Sequence, residues 1–378
     1  MVVRLADEWF SFLPFGVIEP LHRELGLSYS ETGLLLVLLS SGGVLGNFFG
    51  IAADYVSRRV LAAGGAFGYA ASLLVFAQGR SLGALAVAVI AMGLSSDALV
   101  GGTEVALVDL AGDELDVVLA RQNAFGELGG LLGPLTLVAA AALGLGWRFA
   151  FTLGGLLMAA YGLWLATQRL PGPPRRTEGR SPLAGVMGAA RDARVWLLAA
   201  MSALLSGLDE PFLGFAIVFL RRVRAQSPTI ATAMVTIAVI GGVAGYALNS
   251  AEALRGRSPA SRLLWGALVM SASVAGLTIA PIISLQAVAV LCFGASVAIF
   301  WTTLQTTILR IRPGFAGTTD AVVSTGALAG LVIPVAAGRL ADTAGLSASL
   351  WLFAALGGAL CCLCFLFARS ERNSMKSV

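Results

Sequence analysis

The chain has 378 residues, of which 57% are hydrophobic and 12% charged, with a mean hydropathy of +0.86. A soluble domain carries about 25% charged residues, so a water-soluble fold of this size lacks the polar surface it needs. The apolar runs are long and continuous rather than short and alternating, which excludes an outer-membrane barrel and leaves a polytopic helical membrane protein. Forty-six glycines fit that class, because small residues let membrane helices approach closely. The pI of 9.1 comes mostly from loop arginines, which read as topology anchors and not as a nucleic-acid surface. All four cysteines, Cys292, Cys361, Cys362 and Cys364, lie in apolar runs, so disulfides and a metal site are not expected. One histidine, His22, is too few for a His-based catalytic centre. The acids Asp7, Glu8 and Glu19 disqualify the first apolar stretch as a cleavable signal.

Twelve apolar segments follow in chain order, at about 3–21, 31–53, 60–79, 82–110, 120–143, 147–168, 195–220, 229–250, 262–281, 284–309, 317–338 and 346–368. Each is long enough, at 1.5 Å per residue, to cross about 30 Å of hydrocarbon. The one long polar stretch, 169–194, opens Arg169-Leu-Pro-Gly-Pro-Pro-Arg-Arg and divides the chain six plus six. The expected organisation is an all-α integral membrane fold: a six-helix bundle over 1–168, a cytoplasmic linker over 169–194 and a second six-helix bundle over 195–378.

Lysine and arginine set the orientation. With the N-terminus in the cytoplasm, that side receives Arg4, Arg58, Arg59, Arg121, the six linker arginines, Arg255, Arg257, Arg262, Arg310, Arg312, Arg369, Arg372 and Lys376, which is 18 of the 25. Arg23, Arg80, Arg148, Arg221, Arg222, Arg224 and Arg339 fall outside, which is 7. The asymmetry predicts a multi-pass protein of the cytoplasmic (inner) membrane with both termini inside. The cluster at 221–224 runs against the trend.

The two halves repeat each other. Asp7-Glu8-Trp9-Phe10 recurs as Asp209-Glu210-Pro211-Phe212, an offset of 202. Gly93 and Glu104 fall opposite Gly294 and Gln305, an offset of 201. Gly126, Gly130 and Pro134 fall opposite Gly326, Gly330 and Pro334, an offset of 200. Leu153-Gly154-Gly155 recurs as Leu356-Gly357-Gly358, an offset of 203. Four segment pairs that keep their order imply a parallel repeat about an axis along the membrane normal, with a substrate site near the midplane.

These residues resemble the major facilitator superfamily of secondary transporters. After segment 2 stands Gly50-Ile-Ala-Ala-Asp54-Tyr-Val-Ser-Arg58-Arg59, similar to that family's cytoplasmic signature Gly-x-x-x-Asp-x-x-x-Arg-Arg. Segment 5 reads Gly129-Gly130-Leu-Leu-Gly133-Pro134, similar to the Gly-x-x-x-Gly-Pro motif of the antiporter branch, without the Gly-Gly that often follows. Trp147-Arg148-Phe149-Ala150-Phe151 resembles the usual opening of helix 6, and Gly338-Arg339-Leu-Ala-Asp342 the pattern after helix 11. Two departures stand out: segment 4 lacks the arginine many members carry, and the second signature copy is reduced to Gly245…Glu252…Arg257. The resemblance implies that Asp54, Arg58 and Arg59 form a breakable charge cluster for alternating access. It implies also that segments 1, 4, 7 and 10 line the central cavity. For Gly129, Gly133 and Pro134, a hinge and tight packing both remain open.

Ionisable groups in hydrocarbon are costly and mark function by default. The candidates are Asp7 and Glu8 in segment 1, Asp97 and Glu104 in segment 4, Glu127 in segment 5, and Asp209 and Glu210 in segment 7. Gln305 offers a neutral hydrogen-bonding group opposite Glu104. No Lys or Arg lies well inside the spans, so these acids read as unpaired, and unpaired buried carboxylates take up protons. The resemblance likewise implies proton coupling, since the family's sugar symporters use acids on helices 1 and 4. Asp7 and Glu8 also read as interfacial acids on a helix N-terminus. Asp109, Asp113, Glu114 and Asp116 read as a solvated loop face. Trp9, Phe10, Phe212 and Trp301 are candidate cavity aromatics, suited to organic cations or to the apolar faces of sugars; lipid-facing positions are the other reading.

The expectation is a proton-coupled transporter of a small organic solute, working by alternating access and acting by efflux through proton antiport. Proton-coupled uptake of a sugar-like solute and a transport-dead sensor or scaffold on the same fold are the alternatives. No enzyme is expected, because no nucleophile–base pair stands out. No Gly-x-x-x-x-Gly-Lys-Ser/Thr loop is present for ATP. The driving force is then a proton gradient without a cofactor. The partners are the solute and the lipid bilayer, with no nucleic acid, and the expected state is a monomer.

Overall fold

The computed structural model describes residues 1–27, 31, 34–35, 38, 48–172, 181–250, 254 and 256–376. Most of segment 2, the linker stretch 173–180 and Glu252 of the second signature copy lie outside the described residues, as do the side chains of Glu19 and His22. Among the described residues there is no strand.

Helix starts follow the sequence. Ser81, Ser227 and Ser258 each accept an amide from three residues on, and Pro228 and Pro259 occupy the first helical position, where a missing N–H costs nothing. The helices are α1 (Val2–Ser11), α2 (Ile18–Leu25), α3 (Arg58–Gln78), α4 (Leu82–Ala111), α5 (Leu115–Ala142), α6 (Gly146–Thr167), α7 (Pro182–Ala190), α8 (Ala193–Arg222), α9 (Pro228–Asn249), α10 (Pro259–Ile279), α11 (Ile283–Arg310), α12 (Ala316–Ala327), α13 (Val332–Ala344) and α14 (Leu346–Lys376). Eight described stretches are long and apolar enough to cross a membrane; that at Leu82–Ala142 holds both α4 and α5.

Two apolar segments are interrupted where the sequence reading had them continuous. Segment 1 divides into α1, a 3-10 turn at Pro14–Val17 and α2, because Pro14 has no N–H and its ring clashes with the preceding turn. Segment 11 divides into α12 and α13 around a 3-10 turn at Leu328–Leu331, just before Pro334. Pro134 and Pro211, by contrast, sit inside the unbroken α5 and α8.

By contacts the chain forms two compact units. The first comprises Met1–Val118, Phe125–Gly188 and Leu309–Ala321. In it α3 packs against α4 and α6, and Phe76 stacks on Phe151 at 4.4 Å with Trp147 edge-on to both. The second comprises Leu119–Ala124, Ala189–Ile308 and Val322–Val378. In it α14 packs against α10 and α8, and Phe212 meets Phe293 and Phe353. Segments 3 and 6 pair in one half as segments 9 and 12 pair in the other, which is how a structural repeat behaves.

Candidate functional site

Within the first unit, helical spacing gathers three carboxylates around one cation. Residues three and four apart share a helix face, so Arg4, Asp7 and Glu8 lie together on α1. Arg4 Nη1 is 3.5 Å from Asp7 Oδ2 and 3.4 Å from Glu8 Oε1, and Arg4 Nη2 is 3.3 Å from Glu104 Oε1 on α4. Asp7 and Glu104 are both buried, at 4% and 7% exposure. Asp7 Oδ1 also accepts from the Ser96 hydroxyl on α4. Tyr69 on α3, fully buried, shares a 2.7 Å hydrogen bond with Ser11 and donates to the Asp7 carbonyl at 3.3 Å. Asp97 joins by charge, within range of Asp7, Arg4, Asp320 and Glu104. Its Oδ2 is buried with no hydrogen-bond partner among the described residues.

At the turn after segment 2, Asp54 is fully buried. Its Oδ1 accepts from the Gly317 amide at 3.1 Å and its Oδ2 from the Thr318 amide at 2.6 Å. Those amides open α12, so the carboxylate satisfies two orphan donors at the positive end of a helix. Gly50 makes this approach possible: a Cβ there would meet the Gly317 carbonyl at 3.0 Å. Arg58, 1% exposed, donates to the Ala53 carbonyl at 3.3 Å and pairs with Asp109. Arg310 donates to the Gly112 carbonyl. Together Asp54, Arg58, Asp109, Arg310 and Gly314 line a cavity of about 130 Å³.

A family model described as Major Facilitator Superfamily matches residues 5–326. The chain belongs to that superfamily. It is accordingly a multi-pass membrane transporter and not an enzyme. Among solved structures, this facilitator is similar to the fucose:proton symporter FucP of E. coli, with a TM-score of 0.74, 13% identity, and 97% of this chain and 98% of that one covered. It is similar to the human organic anion transporter MFSD10 (TETRAN), with a TM-score of 0.70, 19% identity and 96% of both chains covered. It is similar also to the proton:xylose symporter XylE, with a TM-score of 0.71, 15% identity, and 95% of this chain and 92% of that one covered. At such identities the likeness is one of fold. A search of curated proteins found no match.

Several expectations for this facilitator need correction. The acids of segments 1 and 4 are not without a cation, because Arg4 reaches Asp7, Glu8 and Glu104. Its i,i+3 and i,i+4 spacing to two of them is local, whereas its reach to Glu104 is not. Arg59 is exposed while Arg58 is buried, since neighbours on a helix point about 100° apart. Asp109, read as a solvated loop residue, is the carboxylate that Arg58 engages. Phe10 and Phe212, at 2% and 0% exposure, are packed in the cores of their units. Trp9 is half-buried with its Nε1 donating to Thr136 at 2.7 Å, and Trp301 is half-buried.

The remaining candidates fall elsewhere. Asp209 is half-buried and Glu210 exposed on α8. Glu127 is half-buried on α5. Gln305, 4% exposed, accepts from the Asn123 amide at 3.1 Å within the second unit. The segment 5 motif is a packing surface: a Cβ at Gly129 would strike the Leu5 carbonyl, and one at Gly133 would meet the Trp9 carbonyl at 2.9 Å. Pro134 sits in α5 without breaking it. The other half repeats the device, with Gly330 against the Ala203 carbonyl of α8.

Proposed function

We propose that this chain is a proton-coupled secondary transporter that moves a small polar organic solute by alternating access, with Asp7 and Glu104 as the coupling carboxylates. The observation that carries the reading is the convergence of these two buried acids, from α1 and α4, on one guanidinium. A carboxylate held this way has two states of comparable energy: ionised and paired, or protonated and released. Binding a proton to one of them changes what ties α1 to α4, and a transporter needs such a link between protonation and helix movement. Asp54, its two amide donors and the Arg58–Asp109 pair serve as the breakable latch on the cytoplasmic side. The protein acts as a monomer in the cytoplasmic membrane with both termini inside, driven by the proton gradient without a cofactor.

We favour symport of a sugar-like solute. Two supports of efflux by antiport weaken: the glycines of segment 5 pack α1 closely, and the acids have a cation. Two of the similar folds belong to proton symporters of fucose and of xylose. Antiport stays as a second reading on the strength of Gly129, Gly133 and Pro134.

The experiment is proton movement in proteoliposomes followed by an internal pH dye, on adding L-fucose, D-xylose or tetraphenylphosphonium. Symport acidifies the lumen as external sugar enters, and Glu104→Gln abolishes that signal while leaving solute counterflow. Movement of the opposite sign establishes antiport. Counterflow with no proton movement, unchanged by Glu104→Gln and Asp7→Asn, overturns the carboxylate mechanism.

A further inference from the structure

We propose that α7 is a membrane-surface anchor: its outer face lies among the lipids of the cytoplasmic leaflet, and its inner face braces the turn that presents two amides to Asp54. The inference rests on the reading of Asp54 as the cytoplasmic latch and adds the element that ties that latch to the bilayer.

The residues of α7 set the problem. Ser181 caps the helix, its hydroxyl accepting from the Ala184 amide at 3.2 Å, and Pro182 opens it. From Pro182 to Ala190 the helix carries no polar side chain. A helix that is apolar all round needs every face covered. Protein covers one face. Gly185 is buried. A Cβ there would meet the Tyr55 hydroxyl at 2.6 Å and the Phe315 ring at 3.3 Å, and one at Gly188 would meet the Arg312 guanidinium at 2.7 Å. Leu183 and Met187, one turn apart, share the opposite face and are 68% and 44% exposed.

The charges around that open face point to lipid as its cover. Residues 169–194 carry six arginines against two acids, Glu178 and Asp192. Arg169 and Arg191, on either side of the helix in sequence, are both exposed. Anionic headgroups attract basic residues held at a membrane surface, and apolar side chains between them suit the acyl boundary just beneath.

The inner face gives such an anchor a consequence. Arg312 donates to the Gly185 carbonyl at 3.1 Å and lies over the Phe315 ring at 5.2 Å. Two residues after Phe315 comes Gly317, whose amide, with that of Thr318, holds Asp54. Gly185, Gly188, Arg312, Phe315 and Asp54 all belong to the first unit. Lipid holds α7, α7 holds Arg312 and Phe315, and these fix the amides on which the latch depends. Lifting α7 from the bilayer loosens the latch.

The test reads Met187 in the wild-type protein in nanodiscs, where both membrane faces meet solvent. Periodate, a water-soluble anion, oxidises methionine to the sulfoxide at a rate that follows exposure. Mass spectrometry gives the rate at Met187 against the same residue in the unfolded chain. An exposure of 44% by itself slows oxidation about twofold. Lipid cover in discs containing phosphatidylglycerol is expected to slow it about tenfold or more. Leu183→Glu puts a charge on the same face and is expected to return Met187 to about the twofold level, while hydrogen exchange of the amides at 315–318 quickens about fivefold or more. Wild type in discs of phosphatidylcholine alone is expected to show intermediate protection, which keeps the inference testable if Leu183→Glu does not fold. Only twofold protection in the wild type overturns the anchor. Strong protection unmoved by Leu183→Glu and by lipid charge means that another stretch of this chain or a second copy covers the face, and overturns it too. A freed Met187 with unchanged exchange at 315–318 overturns the brace. None of these readouts uses transport, so a failure of the proton-coupled reading shows separately, in the proteoliposome experiment.

Discussion

Asp54 accepts a 2.6 Å hydrogen bond from the backbone N–H of Thr318, a residue 264 positions along the chain. The contact joins the acidic turn after segment 2 to the first turn of α12 through main-chain atoms, with the Thr318 side chain adding to it. Asp54→Ala leaves two buried amides, those of Gly317 and Thr318, without this acceptor. Each stranded donor costs about 1–3 kcal/mol. The expected result is a thermal midpoint several degrees below wild type and a loss of transport of tenfold or more. Thr318→Val keeps the amide and removes the side-chain hydrogen bond, so it should fall between wild type and Asp54→Ala in both. Differential scanning fluorimetry and proteoliposome uptake check this together.

Glu24 supplies the pH dependence. The Trp147 indole N–H donates to it at 2.7 Å, and Arg148 donates at 3.0 Å while also holding the Ala77 and Gly79 carbonyls. The Trp147 hydrogen bond, with those of Arg148 and the charges of Arg148 and Arg80, holds the Glu24 carboxyl below its ordinary value. A depressed carboxylate adds stability above its unfolded pKa, about 4.3, and loses it as pH falls through the folded value. Thermal midpoints of wild type and Glu24→Gln should differ at pH 7 and converge below about pH 4. The side chain is 47% exposed, so the separation stays within about 1 kcal/mol. Parallel melting curves across the whole range would show that Glu24 contributes no charge-dependent stability.

Glycines on these helices differ sharply in what surrounds them. Gly129 faces the Leu5 carbonyl and the Glu8 side chain, whereas a Cβ at Gly338 meets nothing within 4 Å. Gly129→Ala forces α1 away from α5, and overpacking of this kind costs about 1–3 kcal/mol. Gly338→Ala removes backbone freedom from a helix interior and should be neutral or stabilising by up to about 1 kcal/mol. Because Gly129 abuts the helix that carries Asp7 and Glu8, its substitution should also lower proton-coupled flux. Melting and flux measured on both variants separate packing from chemistry.

Much of this architecture can be read from residue order alone. The apolar runs mark the spanning helices, and the offsets near 200 between Asp7-Glu8 and Asp209-Glu210, or Gly130 and Gly330, foretell paired packing in the two halves. What could not be read follows from distance in sequence. Arg58 is 51 residues from Asp109, and nothing local tells an exposed acid from a pairing one. Phe10 and Phe212 follow Asp7 and Asp209 by three residues and share their helix sides, and nothing local tells a core ring from a cavity ring. Arg4 is the instructive case. Its spacing to Asp7 and Glu8 is local information, but the third partner, Glu104, comes near only through the α1–α4 packing.

The amide pair Asn123–Gln305 tests a different kind of contact. Both side chains are buried, at 7% and 4% exposure, and the Asn123 amide donates to the Gln305 carbonyl oxygen at 3.1 Å. Neither carries charge, so the pair adds direction without a desolvated ion. Hydrogen bonds between membrane helices contribute about 0.6 kcal/mol on average and up to about 1.7. A double-mutant cycle of Asn123→Ala and Gln305→Ala should give a coupling energy in that range, toward the upper end because both side chains are buried. Asn123→Leu should be worse than Asn123→Ala, since the added bulk meets the Gln305 amide while offering it no donor. A coupling energy indistinguishable from zero would mean that each amide finds another partner when its mate is removed. Transport measured on the same variants then locates the pair: a changed solute affinity with unchanged melting places Gln305 at the solute, and changed melting with unchanged affinity places the pair in the helix packing.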